Sequence, residues 1–138
     1  MSLFSRRSLG IVNFFAATAM LTGAASTFAQ AQAPFNAKAL QQARIGDLPT
    51  GKWDMKATML EIQPGGEVPF HTHKGPGLRY VVEGAITINW KEGNTQTYTA
   101  GSTYFEGSGA NHPAGNFAAR NDGKTVCRVV IIELVPQD

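Results

Sequence analysis

From residue 53 onward, apolar and polar positions alternate in short runs broken by glycine and proline. Residues 53–63 place Met55, Ala57, Met59 and Glu61 on one face of an extended segment and Thr58, Leu60 and Ile62 on the other. A period of two predicts a strand. Residues 78–82 and 85–90 are β-rich runs separated by Glu83-Gly84, which reads as a hairpin turn or a bulge. Further strands are expected at 95–99, 103–106, 112–117 and 125–135, with turns at Pro64-Gly65-Gly66, Glu92-Gly93-Asn94, Gly107-Ser108-Gly109 and Asn121-Asp122-Gly123. In the last strand Val126, Val129, Val130, Ile131 and Ile132 are the expected core, joined by Cys127 as a small hydrophobe. Ahead of the strands, residues 34–50 read as an arm. Residues 36–44 suit a short helix, which Gly46, Pro49 and Gly51 prevent from growing. Many short strands with turn residues between them and almost no helix predict an all-β sandwich or barrel.

The N-terminus follows a different pattern. Arg6 and Arg7 precede an uncharged apolar stretch over 11–25, and Ala29-Gln30-Ala31 offers small residues at the spacing of a cleavage site. Residues 1–31 therefore read as an export signal. The apolar run is shorter than the ~20 residues of a spanning helix, which favours a cleaved signal over an anchor and leaves no membrane partner after cleavage. Ser5-Arg6-Arg7-Ser8-Leu9 resembles the twin-arginine export signal, with Gly10 next; an ordinary secretory signal is the alternative. Either way the expected destination is the bacterial periplasm or the exterior. The expected division is signal 1–31, arm 32–52 and barrel domain 53–138.

Charge and cysteine content narrow the function. The chain carries 12 Lys and Arg against 10 Asp and Glu, and losing Arg6 and Arg7 with the signal leaves the two balanced. A neutral chain without a basic patch is not expected to bind nucleic acid. One cysteine excludes an intrachain disulfide framework and a paired-cysteine zinc site.

The three histidines are His71, His73 and His112. On a strand, side chains two apart share a face, so His71 and His73 are able to meet one ion together. Neutral imidazole is the commonest protein donor to first-row metals. Two solvated histidines in a loop after Pro69 are the bland alternative. No serine–histidine–aspartate set and no phosphate-cradling glycine loop is apparent.

The flanking residues decide between these readings. Gly65, five residues, His71-Thr72-His73 and then Tyr80-Val81-Val82-Glu83-Gly84 resembles the first motif of the cupin superfamily. Gly101, five residues, Gly107-Ser108-Gly109, His112 and Asn116 resembles the second. The resemblance implies a jelly-roll-like double-stranded β-helix barrel with a metal inside it, held by His71, His73 and His112. It also implies a small-molecule ligand or substrate and a homodimer, since small cupins commonly pair. Two positions depart from the pattern. Gly77 stands where a glutamate ligand is usual, and Gly107 where a proline is usual.

The missing carboxylate shapes the expected chemistry. A three-histidine site leaves positions open for water or substrate, and is similar to that of cupin dioxygenases that hold iron with three histidines. The ion is expected to be Fe, Mn, Zn, Ni or Cu. Glu106 and Glu67 are possible replacement donors, although a solvated rim charge is the favoured reading for both. If position 77 points inward, Arg79 does too, and it either anchors an anionic group or pairs with Glu106 or Glu133; a bulge at Gly77 would instead turn it outward. Leu78, Tyr80 and Val82 would then pack on the other face. The candidate substrate-binding residues are Arg79, Tyr104 and Glu106, with Tyr80 a weaker pocket candidate. Asn116 is expected to fix a corner, and Trp53 and Trp90 to serve as wall or dimer contacts. Two functions follow: a metal-dependent, dioxygenase-like enzyme acting on a small organic molecule, or a non-catalytic periplasmic binding or sensing module.

Overall fold

The computed structural model describes residues 36–137, so the expected export signal lies outside the described residues. Among the described residues eight strands run in chain order: β1 Trp53–Ile62, β2 Glu67–Pro69, β3 Gly77–Glu83, β4 Ala85–Asn89, β5 Thr95–Thr99, β6 Thr103–Glu106, β7 Phe117–Arg120 and β8 Cys127–Pro136. They form two antiparallel four-stranded sheets, ordered β1-β8-β3-β6 and β2-β7-β4-β5. The all-β barrel expectation holds. Ile62, Val81, Ile86, Ile88, Tyr104, Ala119, Cys127 and Val129 form the core cluster.

Alternation along β3 sets the inside of the barrel. Gly77, Arg79 and Val81 are buried, while Tyr80 and Val82 are exposed. β3 pairs in unbroken register from Gly77 to Tyr80 with both β6 and β8. No bulge sits at Gly77, and Arg79 faces inward. The irregularity comes later, between Val81 and Glu83. The following turn is not a hairpin, because β3 and β4 belong to different sheets. Gly84 carries the chain across at φ 71°, and a Cβ there would stand 2.5 Å from the Val126 carbonyl oxygen. Both the backbone angle and the close approach require glycine.

Four local expectations are corrected. Residues 36–44 form no helix and lie largely exposed. The strand expected at 112–117 starts only at Phe117. Pro113 has no N–H to offer a ladder, and Gly115 adopts φ 80°. A short strand, β2, pairs with β7 where none was expected, and the register shifts at Pro69. In β8 the core positions are Cys127 and Val129, whereas Ile132 is exposed. Burial pushes the Cys127 thiol above its ordinary pKa, so it remains a protonated hydrophobe.

Candidate metal centre

His71 and His73 follow β2 in an extended segment. His73 is held there by a two-bond bridge with Gly109, its N–H donating to the Gly109 carbonyl at 2.9 Å and the Gly109 N–H returning at 2.8 Å. That bridge ties the first histidine segment to the glycine corner that leads to His112. His112 stacks on Trp90, with ring centroids 5.9 Å apart and planes 23° from parallel. The imidazole centroids of His71 lie 4.6 Å from His73 and 5.4 Å from His112. One donor atom from each ring falls within 4.8 Å of the other two.

Ring protons follow from the partners. His71 Nδ1 donates to the Pro69 carbonyl at 3.0 Å, and His112 Nδ1 donates to the Asn89 carbonyl at 3.0 Å. A carbonyl only accepts, so each neutral ring keeps its Nε2 lone pair free, as metal-ligating histidines do. His73 differs. Its Nδ1 faces Arg79 Nη2 at 3.2 Å and its Nε2 faces Glu106 Oε2 at 3.1 Å.

Arg79 is 1% exposed, Tyr104 4% and Glu106 5%. Glu106 is therefore not the rim charge favoured from sequence. Tyr104 and Glu106 lie two apart on β6 and turn inward together. Glu106 Oε2 accepts from Arg79 Nη2 at 2.8 Å and lies 3.1 Å from His73 Nε2, while Oε1 lies 3.4 Å from His112 Nε2. Neither contact with a histidine has hydrogen-bond orientation, so His73 Nε2 and His112 Nε2 are buried without a partner. Glu133 adds a second carboxylate, 3.6 Å from Arg79 Nη2 and 3.7 Å from His73 Nδ1. Glu67 lies exposed on β2, opposite Arg120, and takes no part.

Burial alone would raise the Glu106 pKa, but His112, His73 and Arg79 around it hold the carboxyl well below the usual range. Burial also disfavours a charged His112, yet the adjacent Glu106 carboxylate and the Asn89 carbonyl lift its pKa above the ordinary value. Tyr104 is pushed far upward by burial and by Glu106, so its phenol stays protonated.

The residues suit a divalent cation. Two buried imidazole nitrogens lack partners. Inside the chamber Glu106 pairs with Arg79, and Glu133 faces the same guanidinium from the open cavity beside it. That chamber, about 130 Å³, is lined by all three histidines with Arg79, Tyr104 and Glu106. An open cavity of about 670 Å³ lies against it and shares His71, His73 and Arg79.

Tyr80 is on the outer surface and lines neither space. Asn116 makes only a backbone bond, its N–H to the Pro113 carbonyl at 3.4 Å. Trp53 Nε1 donates to the Pro49 carbonyl, away from the site. Trp90 as the platform for His112 was not legible in sequence, because the two residues are joined only by the fold.

The polyketide cyclase RemF from Streptomyces resistomycificus shares 21% identity over 62% of this chain and 56% of its own, with a TM-score of 0.50. A cupin domain from Bordetella pertussis Tohama I shares 26% identity over 68% of this chain and 98% of its own, with a TM-score of 0.48. A cupin-2 domain protein from Shewanella frigidimarina shares 20% identity over 61% of this chain and 72% of its own, with a TM-score of 0.46. None of the curated proteins matches the sequence. The cupin domain family matches residues 58–133, which contain both histidine motifs and every residue of the polar chamber. The barrel and the match together place this chain in the cupin domain family.

Proposed function

We propose that this chain is an exported cupin that binds one divalent first-row metal through His71, His73 and His112 and acts on a small organic molecule in a dioxygenase-like reaction. The observation that carries the metal reading is the convergence of three imidazoles, two of them with buried, unpartnered Nε2 atoms. When bound, such an ion supplies Lewis acidity and, for the redox-active metals, reactivity toward dioxygen. Affinity does not name the metal, because a histidine site favours the later first-row ions whichever one is used. Export rests on the sequence pattern of residues 1–31.

The chain's own groups define the ligand. The inner chamber is too small for more than the ion and a few atoms, so the organic molecule occupies the open cavity. Arg79 lines both the chamber and the open cavity, and a guanidinium there suits an anionic group such as a carboxylate. Tyr104 holds its proton and serves as a donor within the chamber.

Elemental analysis of protein prepared without chelators tests the reading. Stoichiometric metal is expected in the wild type and none in the His71→Ala/His112→Ala double variant. Metal that survives the double change would show that the ligands are misassigned. Oxygen uptake on adding small organic anions supports the enzyme. A non-catalytic module is the second reading, favoured by Gly77, which withholds the usual carboxylate from β3. Protein that binds such an anion with no turnover supports it.

We also propose that two copies pair through the outer face of the β1-β8-β3-β6 sheet. Met55, Met59, Tyr80, Val82 and Ile132 are exposed there, and the arm adds exposed Leu40 and Ile45. Leu40 lines a hollow with Tyr80 and Ile132, and Ile45 one with Met55 and Phe105, so arm and sheet form a continuous apolar surface.

A further inference from the structure

Gly77 faces two carboxylates, one on each side. Its partner across β6 is Glu106, and its partner across β8 is Glu133. The room that a side chain at 77 would need is already taken. A Cβ there would stand 2.5 Å from Arg79 Nη1, 2.6 Å from the Ile132 carbonyl oxygen and 2.7 Å from Glu133 Cβ. The guanidinium thus fills the space that the glycine leaves, and no carboxylate reaches the chamber from β3.

Of the two flanking carboxylates, only Glu106 reaches the unpartnered nitrogens. Its oxygens stand 3.1 Å from His73 Nε2 and 3.4 Å from His112 Nε2. Donors about 2.0–2.2 Å from a common ion lie roughly 3.0–3.5 Å from one another in octahedral or tetrahedral arrangements. Glu106 Oε2 keeps that separation from His73 Nε2, and Oε1 keeps it from His112 Nε2. Glu133 instead faces His73 Nδ1, on the side of the ring away from the chamber nitrogens, at 3.7 Å. Arg79 Nη2 holds Glu106 at 2.8 Å and orients it, while β6 anchors it beside Tyr104.

We propose that Glu106 is a fourth metal ligand, which restores from β6 the carboxylate that Gly77 withholds from β3. The proposal rests on the three-histidine metal site. The resulting three-nitrogen, one-oxygen set carries a negative charge that lowers the net charge of the bound ion. It also ties Arg79 to the metal through a shared carboxylate, so an anionic ligand on Arg79 sits beside the ion.

Titration of chelator-stripped full-length protein with Co(II), followed by its visible ligand-field spectrum and by competition with Zn(II), tests the assignment. Glu106→Gln is expected to lower Co(II) affinity by at least the roughly tenfold to hundredfold that loss of a ligand's outer-shell partner costs, and to shift the ligand-field bands. Glu133→Gln removes the other partner of Arg79 and is expected to leave the bands unchanged. Glu106→Asp, which keeps the charge for Arg79 but withdraws the oxygens by a methylene, is expected to fold and still lose affinity, so the test survives if the Gln variant misfolds. Wild-type bands and affinity in both Glu106 variants, with binding lost in His112→Ala, overturn the Glu106 role alone. Equal band shifts in Glu106→Gln and Glu133→Gln overturn it too, since they indicate a general charge effect. A wild type that takes up no Co(II) overturns the metal site itself.

Discussion

Arg79 and Gly77 depend on each other at the residue scale. A guanidinium at 1% exposure is costly unless paired. Here it finds Glu106 and Glu133, but only because position 77 carries no side chain. The crowding makes a prediction about a one-carbon change. Gly77→Ala is expected to destabilise the protein by about 1–3 kcal/mol, because the new Cβ meets the rigid β8 backbone at Ile132. Urea unfolding of metal-free protein measures it; an unchanged midpoint contradicts the packing described here. The inward direction of Arg79 was legible from strand periodicity and shared by two of the three alternatives. The inward direction of Glu106 was not. A glutamate six residues before a histidine carries no local sign of its orientation, and charged residues usually face water.

At the scale of elements, the question is how non-repetitive segments are held in place. β7 begins five residues after His112, so no strand positions that histidine. It is fixed instead by the Asn89 carbonyl at the end of β4, by Trp90 and by the His73–Gly109 bridge nearby. Asn121 performs a similar task where β7 ends. It is 1% exposed, and its Nδ2 donates to the carbonyls of Ile62 at 2.9 Å and Thr125 at 2.8 Å, while its Oδ1 accepts from the Gly123 N–H at 2.9 Å. Its backbone also bonds both ways with the turn after β1, through Gly65 and Gly66. Asn121 therefore joins the β1–β2 turn to the β7–β8 turn. Asn121→Ala leaves the buried Ile62 carbonyl without this donor and is expected to cost about 1–3 kcal/mol. Thermal unfolding checks this, and loss of hydrogen-exchange protection at Gly65 and Gly123 locates the damage. An unaltered melting temperature would remove Asn121 from this role. The sequence marks residues 121–123 as a turn, but not the reach of the side chain to residue 62.

On the scale of the whole molecule, the two sheets differ in what they expose. The β1-β8-β3-β6 sheet carries Arg79, Glu106 and Glu133 inward beside its core residues Ile62, Val81 and Val129, and Met55, Tyr80 and Ile132 outward. The apolar outer groups fit a barrel that pairs through this surface. Sedimentation of the wild type is expected to give a dimer, and Met55→Glu/Ile132→Glu a folded monomer. A monomeric wild type refutes the interface. What residue order alone determined is what acts over a few neighbours: the strands with a period of two, the glycine breaks between them, and the two histidine segments with their spacing. What tertiary structure decided depends on pairing across distant stretches of chain. Which sheet each strand joined, the missed strand at 67–69, the late start of β7 and the placement of Glu106 opposite Gly77 all follow from register between strands. Register is set by the packing of the whole barrel, since a one-residue slip would carry every inward group of a strand to the outer face.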